Sequence, residues 1–304
     1  MISVIIPTYN RLEKLKNTLS SLERQRLGSK DFEILVVDDG SDRDTAEGLS
    51  HFLKSSRLDI RIFRQEHKGP AAARNLGIEK AQGEIVFFCG DDTRLEPDLL
   101  ERHKRRHKNN KDIAVLGATL WDEDGQVTDF MRYLAPGGPQ FSYHTIKNRE
   151  DAGFDHFYTS NISLEKKWFA REKFDPRFSE AAFEDIDIGF RLEKKGLKII
   201  YDPLSVVRHS HFYDEPEFYR RMRNVGRAFT VLADKYQDDK KDLWRLKIKY
   251  APFLFFPGLK VFSFLARIAS ACWMVKRLNK KLFWFLNICY YYSLGIIQGN
   301  KLRK

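Results

Sequence analysis

Residues 32–41 read FEILVVDDGS, a largely apolar run that stops at two aspartates, a glycine and a serine. A run without polar alternation is typical of a strand that is covered on both faces in a parallel sheet. Shorter runs of the same kind occur at residues 3–6, 60–63 and 85–88. We therefore predict four such strands in the first hundred residues.

Helical segments lie between these runs. Residues 12–22 carry four leucines on one helical face, and Asn10 before them is a residue type favoured at a helix N-cap. Residues 71–81 form another helical pattern, which Gly83 ends. Alternation of strands and helices predicts an α/β protein with a doubly wound, mostly parallel sheet.

Polar clusters follow three of the predicted strands, at residues 8–10, 38–39 and 90–92. Right-handed crossovers bring the carboxyl ends of parallel strands to one edge of the sheet, where ligands bind. We therefore expect the functional site at this edge.

The pattern after residue 100 is less regular. A helix is predicted at residues 184–195, with an acidic first turn and Gly196 just beyond its end. Strands are predicted at residues 113–119, 161–164, 198–201 and 204–207.

Composition excludes several classes of protein. With 304 residues and 42% hydrophobic content the chain can bury a sizeable core, and it is neither disordered nor collagen-like. Its three scattered cysteines do not suggest a disulfide framework or a zinc cluster. Met1 is followed directly by the first strand pattern, without the regions of a secretory signal, so we expect a cytoplasmic protein.

The net charge of +11 comes from the end of the chain. Residues 240–304 contain 14 lysines and arginines and one acidic residue, Asp242, so the preceding part is nearly neutral. The segment 282–297 has no charge but is shorter than the ~20 residues that span a bilayer. Helices resting on an anionic membrane surface explain both features, whereas a helical subdomain or a dimer interface is the alternative. The aromatic residues are not interleaved with the basic ones, which argues against nucleic acid.

Asp91 and Asp92 are the first candidate site. Adjacent carboxylates on a tight turn repel each other unless a cation or a basic group lies between them, and Mg²⁺ or Mn²⁺ prefers such oxygen ligands. A solvated turn is the simpler explanation for the dipeptide alone. The buried strand before it and the matching turn at Asp38 and Asp39 favour a metal site.

Three further groups have both a structural and a functional interpretation. Glu184 and Asp185 either complement the dipole of the helix that they open or supply a general base. Residues 69–75 let a ligand approach a helix N-terminus closely, although the signal is weak. His209 and His211 follow a strand end, where an imidazole beside two carboxylates can complete a divalent site.

Together these segments resemble the family 2 glycosyltransferases, which have the GT-A fold. The resemblance covers about residues 2–212. The matching motifs keep the family's order: SVIIPTYNR at 3–11, ILVVDDGS at 34–41, GPAAARNLG at 69–77, the stretch 85–97 with its GDDT turn, TSNISL at 159–164, EDIDIGFRLEKKG at 184–196 and YDPLSVVRHSH at 201–211.

The resemblance implies roles for individual residues. Residues lining a nucleotide-base pocket would be Pro7, Thr8 and Tyr9, with Asp39 hydrogen-bonded to the base. Near the nucleotide and sugar would lie Lys68 and Arg74. The donor and the metal would be held by Asp91 and Asp92, with His209 as a further metal ligand and His211 as its alternative. Asp185 stands where the family has its catalytic base.

Two departures refine this expectation. Gly90 replaces the first aspartate of the family's DxD motif, so we assign Asp91 and Asp92 to donor and metal. The Gln-x-x-Arg-Trp motif of processive members is absent after Asp185, which implies the transfer of one or a few sugars.

The implied protein is an inverting, Mg²⁺- or Mn²⁺-dependent transferase that uses a nucleoside-diphosphate sugar. Residues 1–213 would form the GT-A domain, with a nucleotide-sugar half at 1–98 and an acceptor half at 99–213. The helical, aromatic region 214–304 would contact the inner face of the cell membrane through residues 244–304, which suggests a lipid-linked or cell-surface saccharide acceptor. The sequence is compatible with a homo-oligomer and does not specify the oligomeric state. The rivals are a non-catalytic nucleotide-sugar or membrane-binding protein and a nucleotidyltransferase, although the latter usually has a glycine-rich loop that residues 7–11 lack.

Overall fold

Eight strands form one sheet in the first part of the chain. They are β1 (Ile2–Thr8), β2 (Phe32–Asp38), β3 (Ile60–Arg64), β4 (Ile85–Cys89), β5 (Thr93–Leu95), β6 (Ile113–Trp121), β7 (Asn161–Glu165) and β8 (Lys198–His209). Their order across the sheet is β3-β2-β1-β4-β7-β6-β8-β5. The structure is a computed structural model, and it describes residues 1–302 apart from 54, 55, 57, 240, 243–245, 247–266 and 269–278.

Among the residues that the structure describes, the α-helices are α1 (Leu12–Leu22), α2 (Arg43–Leu53), α3 (Pro70–Lys80), α4 (Leu99–Asn109), α5 (Asp129–Leu134), α6 (Glu184–Glu193), α7 (Glu215–Lys235) and α8 (Lys280–Leu302).

The first half of the sheet confirms the sequence-based prediction. β1 pairs in parallel with β2 and β4, and β2 pairs in parallel with β3. Every residue of β2 is buried, as expected for a strand covered on both faces. Leu15, Leu19 and Leu22 of α1 are buried in the main apolar cluster together with strand residues such as Ile34. The leucine face of α1 therefore covers one side of the sheet.

The second half is mixed, which residue patterns did not predict. β7 runs antiparallel to both of its neighbours, β4 and β6, and β5 runs antiparallel to β8. The two short strands predicted at 198–201 and 204–207 form the single strand β8. Its parallel register with β6 shifts between Gly117 and Ala118. Pro203 lies opposite this irregularity, where a residue without an N–H costs the ladder no hydrogen bond.

The N-cap predicted at Asn10 is wrong. The cap position of α1 is Arg11, which makes no side-chain capping hydrogen bond. Asn10 instead adopts a positive φ of 52°, and its Oδ1 accepts a 2.7 Å hydrogen bond from the backbone N–H of Asp42. Asparagine adopts a positive φ more readily than most residues, and its short amide side chain can hydrogen-bond to a nearby backbone group. Here it joins the turns after β1 and β2.

A buried polar network lies between α4 and the sheet. His103 bonds to Ser163 Oγ at 2.7 Å and to Asn161 Oδ1 at 3.2 Å, and His107 bonds to the same serine oxygen at 2.8 Å. Burial lowers the pKa of His103 to about 3 and that of His107 to about 4. Both imidazoles are therefore neutral in the folded protein near neutral pH.

The chain divides into two compact units. The first comprises Met1–Ser179 and Glu184–Phe212, and the second Glu180–Phe183 and Tyr213–Lys304. Within the second unit α8 packs against α7: Trp284 donates to Glu215 at 2.9 Å, and Arg223 donates to Gln298 at 2.7 Å. One face of the uncharged segment 282–297 is thus buried against another helix. The division of residues 1–213 into nucleotide-sugar and acceptor halves stays a prediction.

The membrane prediction falls mostly outside the described residues, because 243–245, 247–266, 269–278 and 303–304 are not described. Across the residues that are described, no helix is long and apolar enough to cross a bilayer. Leu282 and Phe285 of α8 are exposed, at 46% and 52%, beside the exposed Lys280 and Lys281.

Candidate active site

The three polar turns meet at the carboxyl edge of the sheet, as predicted. The backbone N–H of Asp39, just beyond β2, donates to the carbonyl of Thr8 at the end of β1, at 2.9 Å. The hydroxyl of Thr8 donates to Asp91 Oδ2 beyond β4, at 2.8 Å. Parallel pairing of β1 with both neighbours brings these strand ends together.

Asp39 holds the loop that precedes α3. Its Oδ1 accepts hydrogen bonds from the side chain of Gln65 at 2.7 Å and from the backbone of Lys68 at 2.9 Å. Its Oδ2 accepts from the backbone of Gly69 at 2.9 Å and lies 2.9 Å from His67 Nδ1. The predicted bond from Asp39 to a nucleotide base stays a prediction, and a base would compete with these partners.

An open aromatic face lies beside this loop. The ring of Tyr9 is 42% exposed and stacks on His67, with ring centroids 4.1 Å apart. Pro7 is partly buried and Thr8 is fully enclosed. Of the side chains predicted to line a base pocket, Tyr9 offers the accessible surface.

Asp91 and Asp92 are buried, so the simple interpretation as a solvated turn is wrong. They are 5% and 7% exposed. One nitrogen of Arg11, Nη1, lies 3.3 Å from Asp91 Oδ1 and 3.1 Å from Asp92 Oδ2. Burial and the charge of Asp92 raise the pKa of Asp91 to about 6. Burial opposes ionisation of Asp92 too, but His209, His211 and Arg11 hold the pKa of Asp92 well below its usual value.

The two histidines contact Asp92 differently. His209 Nε2 lies 3.3 Å from Asp92 Oδ1, whereas His211 Nδ1 lies 3.6 Å from Asp92 Oδ2. His211 Nδ1 is also 3.0 Å from Lys14 Nζ. The geometry therefore favours His209 over His211 as the nearer partner of the carboxylate.

These residues have the chemistry of a Mg²⁺ or Mn²⁺ site but are not arranged as one. Two carboxylates and an imidazole are suitable donors. In the described part of the chain, however, no three His, Cys, Asp or Glu side chains are grouped so that they could hold a metal ion. Arg11 lies between the carboxylates instead.

Glu184 and Asp185 open α6, as predicted. Arg74, in the first turns of α3, donates from Nη1 to Glu184 Oε1 at 2.9 Å, and both side chains are more than nine-tenths buried. Asp185 is partly buried, and its Oδ1 accepts from the backbone N–H of Ile186 at 2.8 Å. Burial and the charge of Glu184 raise the pKa of Asp185 to about 7, against the opposing effect of Arg74. A carboxyl with this pKa can accept a proton near neutral pH.

Several site residues had no predicted role: Arg11, Lys14, Gln65, His67 and Glu184 as a partner of Arg74. Each contacts a predicted residue that is distant in sequence, from 26 residues for Gln65 to 197 for Lys14. Arg11 lies within the motif at residues 3–11, and Glu184 lies at the start of a predicted helix. No local sequence pattern shows which side chains these two residues contact. The side chain of Lys68 lies 60% exposed, so its contribution here is its backbone N–H.

Comparison with known proteins identifies the family. The sequence model described as glycosyl transferase family 2 matches residues 3–172. The chain belongs to this family. It is 36% identical over 284 residues to YfnE, an uncharacterized glycosyltransferase of Bacillus subtilis (strain 168), a match that covers 78% of this chain and 70% of that protein. The chain is therefore a glycosyltransferase.

A second relative and a solved structure extend the comparison. The validoxylamine A glucosyltransferase of Streptomyces hygroscopicus subsp. jinggangensis (strain 5008) is 28% identical over 251 residues, 74% of this chain and 58% of that protein. The chain thus spans less than two thirds of that relative's length. The mannosyltransferase PcManGT from Pyrobaculum calidifontis, in complex with GDP-Man and Mn²⁺, matches 100% of this chain and 88% of that one, with a TM-score of 0.64 and 16% identity. The fold is GT-A.

Gly90, which the resemblance places at the first position of a DxD motif, lies close to the Asp92 side chain. A Cβ atom on Gly90 would lie 2.7 Å from Asp92 Oδ1. A side chain at position 90 would therefore push against the carboxylate that contacts Arg11 and His209. The arrangement of Asp92 in this family 2 member depends on the glycine.

Proposed function

We propose that this chain transfers a sugar from a nucleoside-diphosphate sugar to an acceptor hydroxyl with inversion, and that Asp185 is the catalytic base. The observation that carries this proposal is the partly buried carboxyl of Asp185, which has a pKa of about 7 and follows Glu184, the ion-pair partner of Arg74 in α3. Membership of glycosyltransferase family 2 supports the reaction class.

In the proposed reaction Asp185 takes the proton of the acceptor hydroxyl. The hydroxyl oxygen forms a bond to the anomeric carbon from the face opposite the diphosphate. The bond from that carbon to the diphosphate oxygen breaks, and its electron pair leaves with the nucleoside diphosphate. A base whose pKa lies near the working pH can both remain available and drive the proton transfer.

The donor would lie along the carboxyl edge. We assign the base end to Pro7, Thr8, Tyr9 and Asp39, and the diphosphate and sugar to Lys68, Arg74 and Asp91. Tyr9 supports this assignment because its ring is open to a stacking partner, and Asp39 because it fixes the loop before α3.

We further propose that Asp91, Asp92 and His209 hold Mg²⁺ or Mn²⁺. Support comes from their donor atoms and from the Mn²⁺ of the mannosyltransferase structure. When bound, the ion would offset negative charge on the departing diphosphate. Arg11 must then leave the position between the carboxylates.

The nature of the acceptor is a separate proposal. We infer transfer of one or a few sugars to a saccharide, lipid-linked or part of the cell surface, by a cytoplasmic protein peripheral to the inner face of the membrane. The basic residues of 240–304 and the exposed Leu282 and Phe285 support attraction to an anionic surface. We expect the full chain to float with vesicles containing phosphatidylglycerol and not with phosphatidylcholine alone, with salt weakening the binding; no binding to either vesicle would contradict this proposal.

A nucleotide-release assay tests the reaction. The full chain is incubated with Mg²⁺ or Mn²⁺, a panel of UDP-, GDP- and dTDP-sugars, and simple saccharide acceptors. We expect release of one nucleotide, abolished by EDTA and by Asp92→Ala, and a product whose anomeric configuration is opposite to that of the donor. Asp185→Asn should lower turnover about 10²–10⁴-fold with little change in nucleotide affinity. The exposed Asp151→Asn is the matched control; wild-type turnover in Asp185→Asn would refute the assignment.

A further inference from the structure

Arg11 occupies the position that a cation must take to offset the repulsion between Asp91 and Asp92. A single nitrogen, Nη1, contacts an oxygen of each carboxylate, at 3.3 and 3.1 Å. The carboxylates are at least nine-tenths buried, whereas the side chain of Arg11 is 43% exposed. The two acids are thus fixed in the fold, while their cation reaches them from solvent.

The other contacts of the two acids do not depend on Arg11. Asp91 keeps its hydrogen bond from the buried Thr8 hydroxyl, and Asp92 keeps its contacts with His209 and His211. The backbone carbonyl of Asp92 also accepts hydrogen bonds from the N–H and hydroxyl of Ser210. Departure of the guanidinium would therefore leave both carboxylates in place.

An arginine leaves such a position only by moving. A guanidinium stays protonated at any pH the protein encounters, and its planar fork of donors matches phosphate oxygens as well as carboxylates. Arg11 lies in the short turn between β1 and α1, at the sheet edge where the proposed donor's diphosphate would lie. A diphosphate there would give the guanidinium a second anionic partner.

We propose that Arg11 is an internal cation that competes with the divalent ion for Asp91 and Asp92, and that the donor's diphosphate relieves this competition by binding Arg11. The inference rests on the proposed function. It assigns to Arg11 a positioning role that couples metal and donor binding. By linkage, each ligand then strengthens the other to the same degree.

Metal binding without nucleotide gives the first test. Mn²⁺ alone is titrated into the full chain and the free ion is followed by electron paramagnetic resonance. We expect Arg11→Gln to bind Mn²⁺ about tenfold more tightly than the wild type, an effect of the size that two partly screened ion pairs allow. Arg11→Lys retains a cation and should stay within about threefold of the wild type. Lys16→Gln, on the same helix and paired with Glu13, is the control and should not differ.

Nucleotide binding gives the second test. At saturating Mn²⁺, UDP, GDP and dTDP are each titrated, and the tightest of the three should bind Arg11→Gln about tenfold more weakly than the wild type. Tighter Mn²⁺ binding with unchanged nucleotide affinity would overturn the transfer of Arg11 to the diphosphate.

Asp92→Asn separates failure of this inference from failure of the proposed metal site. If wild type and Arg11→Gln bind Mn²⁺ equally while Asp92→Asn does not, the metal site stands and the role of Arg11 is wrong. If neither wild type nor Arg11→Gln binds Mn²⁺, both proposals are wrong. Circular dichroism of each variant checks its fold, and Arg11→Met, which also removes the cation, replaces Arg11→Gln in both titrations if Arg11→Gln misfolds.

Discussion

Arg74 and Glu184 form a buried ion pair, 2.9 Å between Nη1 and Oε1, that joins the start of α3 to the first residue of α6. Arg74 Nε and Glu184 Oε2 are also buried, and neither has a hydrogen-bond partner among the described residues. A buried ion pair with unsatisfied atoms is a poor source of stability. Its effect here is on the next residue, Asp185, whose pKa responds to both charges.

The pH dependence of the reaction should reflect the effect of Arg74 and Glu184 on the pKa of Asp185. Asp185 must be deprotonated to act as a base, so kcat/KM should rise between about pH 6 and 8, around its pKa of about 7. Glu184→Gln removes a negative charge that raises the pKa of Asp185 and leaves Arg74, which lowers it. Loss of the Glu184 charge lowers the pKa of Asp185 and therefore shifts the acid limb of the kcat/KM profile to lower pH. As a control, Glu47→Gln at an exposed position should leave the acid limb of the kcat/KM profile unchanged. An unshifted acid limb in Glu184→Gln would contradict the electrostatic effect of the Arg74–Glu184 ion pair on Asp185.

The ionised carboxylate of Asp185 should destabilise the folded protein at high pH. Its folded-state pKa of about 7 lies above the ordinary aspartate pKa of 3.8, so between these values the folded state binds more protons than the unfolded state. The free energy of unfolding therefore falls as pH rises through this window. Asp185→Asn should raise stability by on the order of 4 kcal/mol at pH 8.5 and much less near pH 4. Urea unfolding at both pH values measures this, with Asp151→Asn as control; equal effects at the two pH values would count against the raised pKa.

The network of His103 and His107 should have the opposite pH dependence. Their folded-state pKa values of about 3 and about 4 lie below 6.5, so their neutral forms support the fold fully above pH 6.5. That contribution is lost progressively as pH falls from 6.5 toward 3–4, because the unfolded state then binds more protons. His103→Gln should lower stability at pH 7 by about 1–3 kcal/mol and flatten the loss between pH 6.5 and 4. As a control, His144→Gln at an exposed position should change neither the stability at pH 7 nor its loss at lower pH. If His103→Gln lost stability between pH 6.5 and 4 as steeply as the wild type, the result would argue against the network.

Gly69 should control nucleotide binding through loop geometry. Its φ is +85°, and a Cβ atom there would collide with the carbonyl oxygen of Ser179. Gly69→Ala should therefore displace the backbone N–H that binds Asp39, lower stability by about 1–3 kcal/mol and weaken nucleotide binding. Thermal unfolding and nucleotide titration measure the two effects. Gly137→Ala is the matched control, because its Cβ would meet no atom within 4 Å; wild-type nucleotide affinity in Gly69→Ala would show that the loop does not shape the site.

Patterns that repeat within a few residues could be read from the sequence. The buried run of β2 and the leucine face of α1 follow from local periodicity, and the parallel direction of the first four strands follows from their alternation with helices. The meeting of the three polar turns follows as well, because parallel strands of one sheet must end at one edge. The acidic start of α6 was predicted by its first turn.

Only the tertiary structure decided which distant side chains meet. Nothing in the sequence near Asn10 predicts that it binds the backbone of Asp42, and nothing near Arg11 predicts a position between two acids 80 and 81 residues away. The antiparallel insertion of β7 likewise depends on pairing between strands far apart in the chain. Local propensity determines the helices and strands and where each one ends, whereas burial and charge pairing across the sheet edge determine which residues those ends contact.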